Sequence, residues 1–121
     1  MTTANHTGFK TFTATAAAIA EGVRVKVDSN GLISAAGATE IAIGVTVEPV
    51  AASGIGNVKL FTAPGTFLCT ASAAITRGAE LYPTASGKVD DAGTTKLGLV
   101  ALEAATADGD LIECARYLLG A

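Results

Sequence analysis

Short apolar segments alternate with glycine-centred turns along the whole chain, and this pattern predicts many short β-strands. The clearest strand is at 23–27 (Val-Arg-Val-Lys-Val), where apolar and charged residues alternate strictly. Such alternation is typical of a strand with one buried and one solvated face, so Arg24 and Lys26 are expected in solvent. Residues 28–31 (Asp-Ser-Asn-Gly) predict a hairpin turn, because an Asn-Gly pair readily adopts positive φ angles.

Two longer apolar runs predict strands that are buried on both faces. The first is at 41–47 (Ile-Ala-Ile-Gly-Val-Thr-Val) and the second at 97–102 (Leu-Gly-Leu-Val-Ala-Leu). Gly44, in the middle of the first run, predicts a bulge or the close approach of another backbone. The alanine-rich segment 14–20 has helical propensity, but the matching segment 66–72 is rich in β-forming residues. We therefore predict strands in both places.

The chain reads as two tandem copies of one β unit. Placing Ile75 on Ile19 also matches Gly78 with Gly22, Gly87 with Gly31, Gly93 with Gly37 and Thr95 with Thr39. With one residue dropped, Thr66, Phe67 and Thr70 match Thr11, Phe12 and Thr15, while Glu103, Ala107 and Gly109 match Glu48, Ala52 and Gly54. We expect β units at 11–60 and 66–114, joined by a hinge at 61–65. A flexible N-terminal arm is expected at 1–10, with a single β domain at 11–121.

The sequence predicts roughly ten short strands, with a turn about every 8 to 12 residues. This spacing indicates an all-β fold. The expected architecture is a small barrel-like or sandwich domain of the β-tulip type. Hydrophobic residues make up 50% of the chain and charged residues 16%, and the chain contains no Trp. The core must therefore be built from Val, Ile, Leu and Ala, and a weakly charged surface remains. In a protein that must stay in solution, such a surface indicates a partner.

The charge of the chain disfavours nucleic acid and membrane partners. The formal net charge is −3, and the eight Lys and Arg residues are scattered, whereas phosphate binding needs a clustered basic face. No apolar run approaches the roughly 18 residues of a membrane span, and the first ten residues lack the pattern of a signal peptide. We expect synthesis in the cytosol, where Cys69 and Cys114 would be buried thiols rather than a disulfide.

Few side chains are suited to chemistry. His6 is the single histidine, so a Ser-His-Asp triad or a zinc site within the β domain is not expected. Residues 54–56 (Gly-Ile-Gly) lack the third glycine of a dinucleotide-binding loop. The acidic pair Asp90-Asp91, and Asp108 with Asp110, are expected to form hairpin turns. The sequence thus predicts no enzyme activity, no cofactor and no metal site.

Glu48 and Glu103 hold matched positions at the ends of the two buried runs. One interpretation is that each carboxylate accepts backbone hydrogen bonds at its turn. The other is that each forms an ion pair between subunits. Both interpretations remain open from the sequence.

Four segments in the second half form an ordered set, at 74–82, 87–89, 97–105 and 107–113. They read Ala-Ile-Thr-Arg-Gly-Ala-Glu-Leu-Tyr, Gly-Lys-Val, Leu-Gly-Leu-Val-Ala-Leu-Glu-Ala-Ala and Ala-Asp-Gly-Asp-Leu-Ile-Glu, and looser versions occur at 22–25 and 43–45. The set resembles the capsid decoration (cement, or head-stabilising) proteins of tailed bacteriophages, and the resemblance covers residues 11–119.

The resemblance implies a structural virion protein, made in the host cytoplasm, that binds the outer surface of the expanded capsid. Such proteins are often trimers at threefold or quasi-threefold positions, where they brace the shell against the pressure of packaged DNA. The expected partners are therefore the major capsid protein and further copies of this chain, and neither nucleic acid nor a membrane is expected.

The N-terminal arm is expected either to be a frayed terminus or to become ordered on a partner. The resemblance implies the second, because such arms commonly reach across neighbouring capsid subunits. The expected shell contacts are Thr2, Thr3, Ala4, Asn5, His6, Phe9, Lys10 and Phe12.

The alternative function is a small β module, displayed on a particle, that binds a carbohydrate or a receptor. Such a module usually presents clustered aromatic side chains on one face. This chain has no Trp, two Tyr and four Phe, which disfavours that alternative.

Overall fold

The computed structural model describes residue 4 and residues 7–117, and its regular structure is made of short β-strands joined by turns. One 3₁₀ turn, Ala85–Gly87, is the single helical element in those residues. The ten strands are β1 Phe9–Ala14, β2 Arg24–Val27, β3 Leu32–Ala35, β4 Gly44–Thr46, β5 Ile55–Leu60, β6 Phe67–Thr70, β7 Tyr82–Pro83, β8 Val89–Asp90, β9 Leu99–Ala101 and β10 Leu111–Arg116. The predicted all-β, barrel-like fold is confirmed.

The first half of the chain forms a closed barrel with the strand order β1-β3-β2-β4-β5. β1 closes the barrel, because it runs parallel to β3 on one side and antiparallel to β5 on the other. The buried residues of its core are Ala14, Ile19, Val23, Val25, Ile33, Val50 and Val58. They are the small and β-branched residues that the composition predicts.

The second half repeats this topology with shorter strands. β10 lies between β6 and β9, as β5 lies between β1 and β4. The antiparallel bridge between Glu80 and Val100 corresponds to the β2–β4 pairing, and the parallel bridge between Ala71 and Val89 corresponds to the β1–β3 pairing. The larger core of this half centres on Phe67, Cys69, Leu81, Val89, Leu99, Ile112 and Cys114. The repeated pairing is what a duplicated β unit should show.

The strand register corrects two details of the predicted alignment. Ile55 lies opposite Thr13, and Leu111 lies opposite Thr70, so Thr70 is equivalent to Thr13. The predicted matches of Thr66, Phe67 and Thr70 with Thr11, Phe12 and Thr15 are therefore all displaced by two residues. A shift of two residues keeps each side chain on the same face of its strand, which hides the error in a hydrophobicity pattern. In the turns, Gly109 corresponds to Ser53 rather than to Gly54, since both adopt positive φ angles of 94° and 57°.

The two halves are joined where the beginning of β2 inserts between β6 and β8. The amide of Thr70 donates to the carbonyl of Gly22 at 2.9 Å. Arg24 reaches across to donate from Nη2 to Thr84 O at 2.8 Å and from Nε to Lys88 O at 3.2 Å. In the second half, the seam that corresponds to the β1–β3 pairing is reduced to the single bridge between Ala71 and Val89.

The prediction that Arg24 lies in solvent is therefore wrong. Its side chain is fully buried, whereas Val27, predicted to be buried, is 39% exposed. Lys26 follows the prediction, because it forms an ion pair with Glu40 near the surface. The carbonyl groups of the second half supply the acceptors that make burial of Arg24 possible.

The prediction of a long buried strand at 41–47 is also wrong at both of its ends. Only Gly44–Thr46 form a strand, and Ile41 is 84% exposed. The predicted close approach at Gly44 is confirmed, because a Cβ atom there would lie 2.2 Å from Lys59 O. In the alanine-rich segment 14–20, β1 ends at Ala14 and Ile19 forms an isolated bridge with Val50, so the strand predicted there does not continue.

β1 begins at Phe9, so the last two residues of the predicted arm, Phe9 and Lys10, lie in the barrel sheet.

Cys69 and Cys114 are both buried and unbridged. Among residue 4 and residues 7–117, no helix has the length and apolar character needed to cross a membrane.

Candidate functional site

The outer surfaces of two sheets expose an unusual number of large apolar side chains. Six of the eight exposed large hydrophobic residues in the described chain lie on these surfaces, the other two being Val27 and Ile41. We call the six the apolar face: Phe9, Val47, Ile55, Leu68, Leu102 and Leu111, which are between 37% and 74% exposed. Apolar patches of this kind usually mark an interaction surface.

Alternation along β10 produces the part of the apolar face in the second half. Ile112 and Cys114 point into the core, so Leu111 and Glu113 point outward. Glu113 lies opposite Leu68 on β6, and its carbonyl accepts the amide of Leu102 at 2.9 Å. Leu68 and Leu102 therefore flank Glu113 in one row across three chain segments.

The part in the first half has the same origin. Along β5, Gly56 and Val58 are buried, and Ile55 and Lys59 point outward. The amide of Val47 donates to Asn57 O at 3.3 Å, as the amide of Leu102 does to Glu113 O. The exposed apolar positions thus recur at equivalent places in the two units.

A groove of about 200 Å³ joins the two parts of the apolar face. Phe9 and Val47 line it from the first half, and Leu68 lines it from the second, with the buried Phe67 at its base. Lys59 crosses this region, with its ammonium 4.7 Å from the Phe67 ring centroid and 5.7 Å from that of Phe9. Lys59 also donates to the carbonyl of Thr66, so its charge is held inside the groove.

Carboxylates border the apolar face. Glu21 lines the groove, and Glu48 and Glu103 directly follow Val47 and Leu102. Glu103 Oε1 accepts the amide of Glu113 at 2.7 Å, and Glu113 Oε2 accepts the hydroxyl of Thr66 at 2.7 Å.

The cations near this border are few. Lys59 is held in the groove, and Arg77 is exposed next to Gly78, whose amide donates to Ala101 O at 2.8 Å. Four carboxylates, Glu21, Glu48, Glu103 and Glu113, lie beside the apolar face together with three cations, Lys10, Lys59 and Arg77, so its border carries more carboxylates than cations.

A second, more open cleft of about 380 Å³ lies where the two halves meet. Arg24 forms part of its wall, together with Phe61, Pro83 and Leu97. Nη1 of Arg24 is buried without a hydrogen-bond partner, and burial lowers the pKa of this guanidinium from its usual value.

Beside that cleft, Glu80 accepts hydrogen bonds from the hydroxyls of Tyr117 and Tyr82 and pairs with Lys96 at 3.4 Å. The hydrogen bond from Tyr117 is the main reason that the pKa of Glu80 is lowered, and the same bond raises the pKa of Tyr117. The network joins the end of β10 to the segment that precedes β7.

The described residues hold no group of three metal-binding side chains. The pKa of Cys114 is raised by its hydrogen bond with Cys69 and by burial, which keeps that thiol protonated and unreactive. Asp110 accepts the amide and hydroxyl of Thr106 at 2.8 and 2.9 Å, and these bonds lower the pKa of its carboxyl group. Asp110 is thus a turn former, as the sequence predicts.

The structure brings one of the predicted shell contacts, Phe9, into the apolar face. Lys10 and Phe12 also lie on β1, where the Lys10 ammonium is 5.9 Å from the Phe12 ring centroid. Ala4 is exposed. The remaining predicted contacts lie outside the described residues, and they are Thr2, Thr3, Asn5 and His6.

Sequence reasoning missed most of the apolar face, including Ile55, Leu68, Leu102 and Leu111. The available signal was the alternation of Leu111–Arg116, in which Glu113 lies on the same face as Leu111. An apolar residue that shares a strand face with a carboxylate points to solvent rather than to the core.

Comparison with known proteins gives two findings. Residues 11–116 match the sequence profile of a family described as phage cement protein. Among solved structures, the chain is similar to the N base of the head fiber protein gp8.5 of bacteriophage phi29, with 18% sequence identity and a TM-score of 0.72. That match covers 90% of this chain and 94% of the phi29 chain, and at this identity it shows a shared fold. A comparison with curated protein sequences gives no significant match.

Proposed function

Because the chain belongs to the phage cement protein family, we propose that it binds the expanded phage capsid as trimers at threefold or quasi-threefold positions and stabilises it against internal DNA pressure. Family membership makes it a capsid-associated structural protein at the outer surface of the virion. The trimer, the threefold position and the stabilising role are our proposal. The role requires contact alone and no reactive side chain.

The apolar face is the observation that supports the proposal best. Six large apolar side chains stay exposed on adjacent sheet surfaces, where their contact with water is unfavourable. Burying such a side chain fully contributes about 1.5–3 kcal/mol of favourable free energy. Even partial burial, repeated at many sites, would therefore stabilise the capsid shell. Repetition over a lattice adds avidity to each weak contact.

We propose further that the N-terminal residues, from Thr2 to Phe12, contact the shell. Phe9 supports this proposal, because it is 40% exposed and lines the groove on the apolar face. The chain therefore enters the domain beside the surface that we propose for docking. Major capsid protein subunits are the proposed partner of both.

The proposal is tested by sedimenting the purified protein with expanded and with unexpanded empty heads of its phage. We expect it to sediment with expanded heads alone. Sedimentation with neither kind of head, or with both equally, would contradict the proposal. Deletion of residues 2–6 leaves β1 intact, and it is expected to weaken this binding without changing the melting temperature.

A further inference from the structure

We infer that the apolar face is the surface of this chain that docks on the shell, and that its partner there is an apolar protein patch bordered by basic side chains. This inference rests on the proposed capsid binding and adds the orientation of the domain and the chemistry of the contact. Either half of the chain could otherwise face the shell.

The distribution of exposed apolar side chains selects this surface. Elsewhere in the described residues, Val27 and Ile41 are the large hydrophobic side chains that remain exposed. Val27 is the last residue of β2, Ile41 lies in the loop before β4, and neither lines the groove that connects the two parts of the apolar face. Single exposed apolar residues are common on soluble proteins, whereas six on adjoining sheet surfaces are not.

Exposed apolar residues occupy equivalent positions in both halves of the chain. Val47 and Leu102 donate equivalent amide hydrogen bonds, and Ile55 and Leu111 begin equivalent strands. All four are exposed, at 37%, 39%, 74% and 44%. The groove lined by Phe9, Val47 and Leu68 lies between the two halves and connects the two sets.

The charges around the apolar face indicate the character of the partner. Four carboxylates border it, while Lys59 is engaged by two aromatic rings and by Thr66 O. A partner with Lys or Arg at the rim would complement these carboxylates and orient the docking. The same face of a second copy would bring carboxylates against carboxylates, so two copies are not expected to pair through it.

The experiment compares charge insertions on and off the apolar face. Leu68→Glu and Leu102→Glu place a carboxylate within it, and Val27→Glu and Ile41→Glu are matched controls at exposed positions elsewhere. We expect the first two to bind expanded heads at least about tenfold more weakly than the wild type. The controls should bind within about twofold of the wild type. Far-ultraviolet circular dichroism and melting temperature establish that each variant is folded.

Three further measurements test the same inference. Glu21→Lys and Glu48→Lys should also weaken head binding, and added salt should weaken wild-type binding, since both remove charge complementarity. Sedimentation equilibrium of the isolated variants should give the wild-type mass. Loss of the wild-type oligomer by Leu68→Glu would overturn the inference, because a second copy would then cover this face.

Failure of the inference is distinguishable from failure of the proposed function. If the wild type binds expanded heads and the folded Leu68→Glu and Leu102→Glu variants bind equally well, the apolar face is not the docking surface. If the wild type does not bind expanded heads, capsid binding and this inference are both wrong. If head binding is weakened by the substitutions in the apolar face and not by the control substitutions, the inference is supported.

Discussion

At the scale of single residues, the burial of Arg24 is the feature that the sequence pattern predicted wrongly. Its strand alternates as a half-buried strand should, but the second half of the chain covers the charged face at this position. The guanidinium then donates to Ala36 O in its own half and to Thr84 O and Lys88 O in the other half, and the last two bonds join the halves. No local pattern could predict the contact with the second half, because Thr84 and Lys88 lie 60 and 64 positions further along the chain.

We expect Arg24→Met to lower the free energy of unfolding by about 2 kcal/mol, since buried carbonyl groups lose their donor. Lys26→Met on the same strand is the control. Its exposed ion pair with Glu40 is screened by solvent, so this variant should be nearly as stable as the wild type. Urea denaturation measures both. An Arg24→Met variant as stable as the wild type would show that desolvating the charge costs as much as its hydrogen bonds contribute.

Tyr117 and Glu80 should make stability depend on pH. The lowered pKa of Glu80 adds stability above the ordinary glutamate pKa of 4.5, and this stability is lost as the pH falls through the folded-state pKa. The raised pKa of Tyr117 adds stability below the ordinary tyrosine pKa of 10.0, and this stability is lost as the pH rises above that value.

Tyr117→Phe should therefore destabilise the protein most between those limits, and its difference from the wild type should shrink below pH 4.5. Tyr82→Phe is the control, because its 3.3 Å bond to Glu80 is the weakest cause of the shift. Denaturant unfolding at several pH values gives the comparison. Equal pH profiles for wild type and Tyr117→Phe would contradict this assignment.

At the scale of elements, turns were easier to predict than strand ends. The turn at 28–31 formed as expected, with Asp28 Oδ1 accepting the amides of Asn30 and Leu32 at 2.8 and 2.9 Å. The run at 41–47 is uniformly apolar, yet only its central Gly44–Thr46 are in a strand. Turn residues act through local backbone geometry, whereas the ends of a strand depend on the neighbour with which it pairs.

The insertion of β2 into the second half can be tested with equivalent glycines. Gly87 and Gly31 have similar φ angles of +73° and +79°, so alanine should strain both by about 1–2 kcal/mol. A Cβ atom at Gly87 would also lie 2.4 Å from Val23 Cγ1 and 2.7 Å from Arg24 O, while Gly31 has open space.

We expect Gly87→Ala to cost about 2 kcal/mol more than Gly31→Ala in free energy of unfolding, because the first half must move away. Thermal or urea unfolding measures the difference. Equal losses for the two variants would mean that the halves do not pack as closely as the contacts at Gly87 require.

At the scale of the whole molecule, the all-β class and the family could be read from the sequence, but most of the apolar face was missed. Leu111 and Ile112 are adjacent and equally apolar, and the one local sign that Leu111 is exposed is the carboxylate of Glu113 on the same face of β10. An interaction surface consists of apolar residues that are not buried in the core. Which residues these are depends on the fold rather than on composition.

The most direct measurement is an electron cryomicroscopy reconstruction of expanded heads with the protein bound. The proposal predicts density for three domains around each threefold or quasi-threefold position on the outer surface. Leu68, Leu102 and Leu111 should point toward the major capsid protein, with basic side chains of the shell near Glu21 and Glu48. Density elsewhere on the particle, or domains bound with the apolar face turned to solvent, would contradict it.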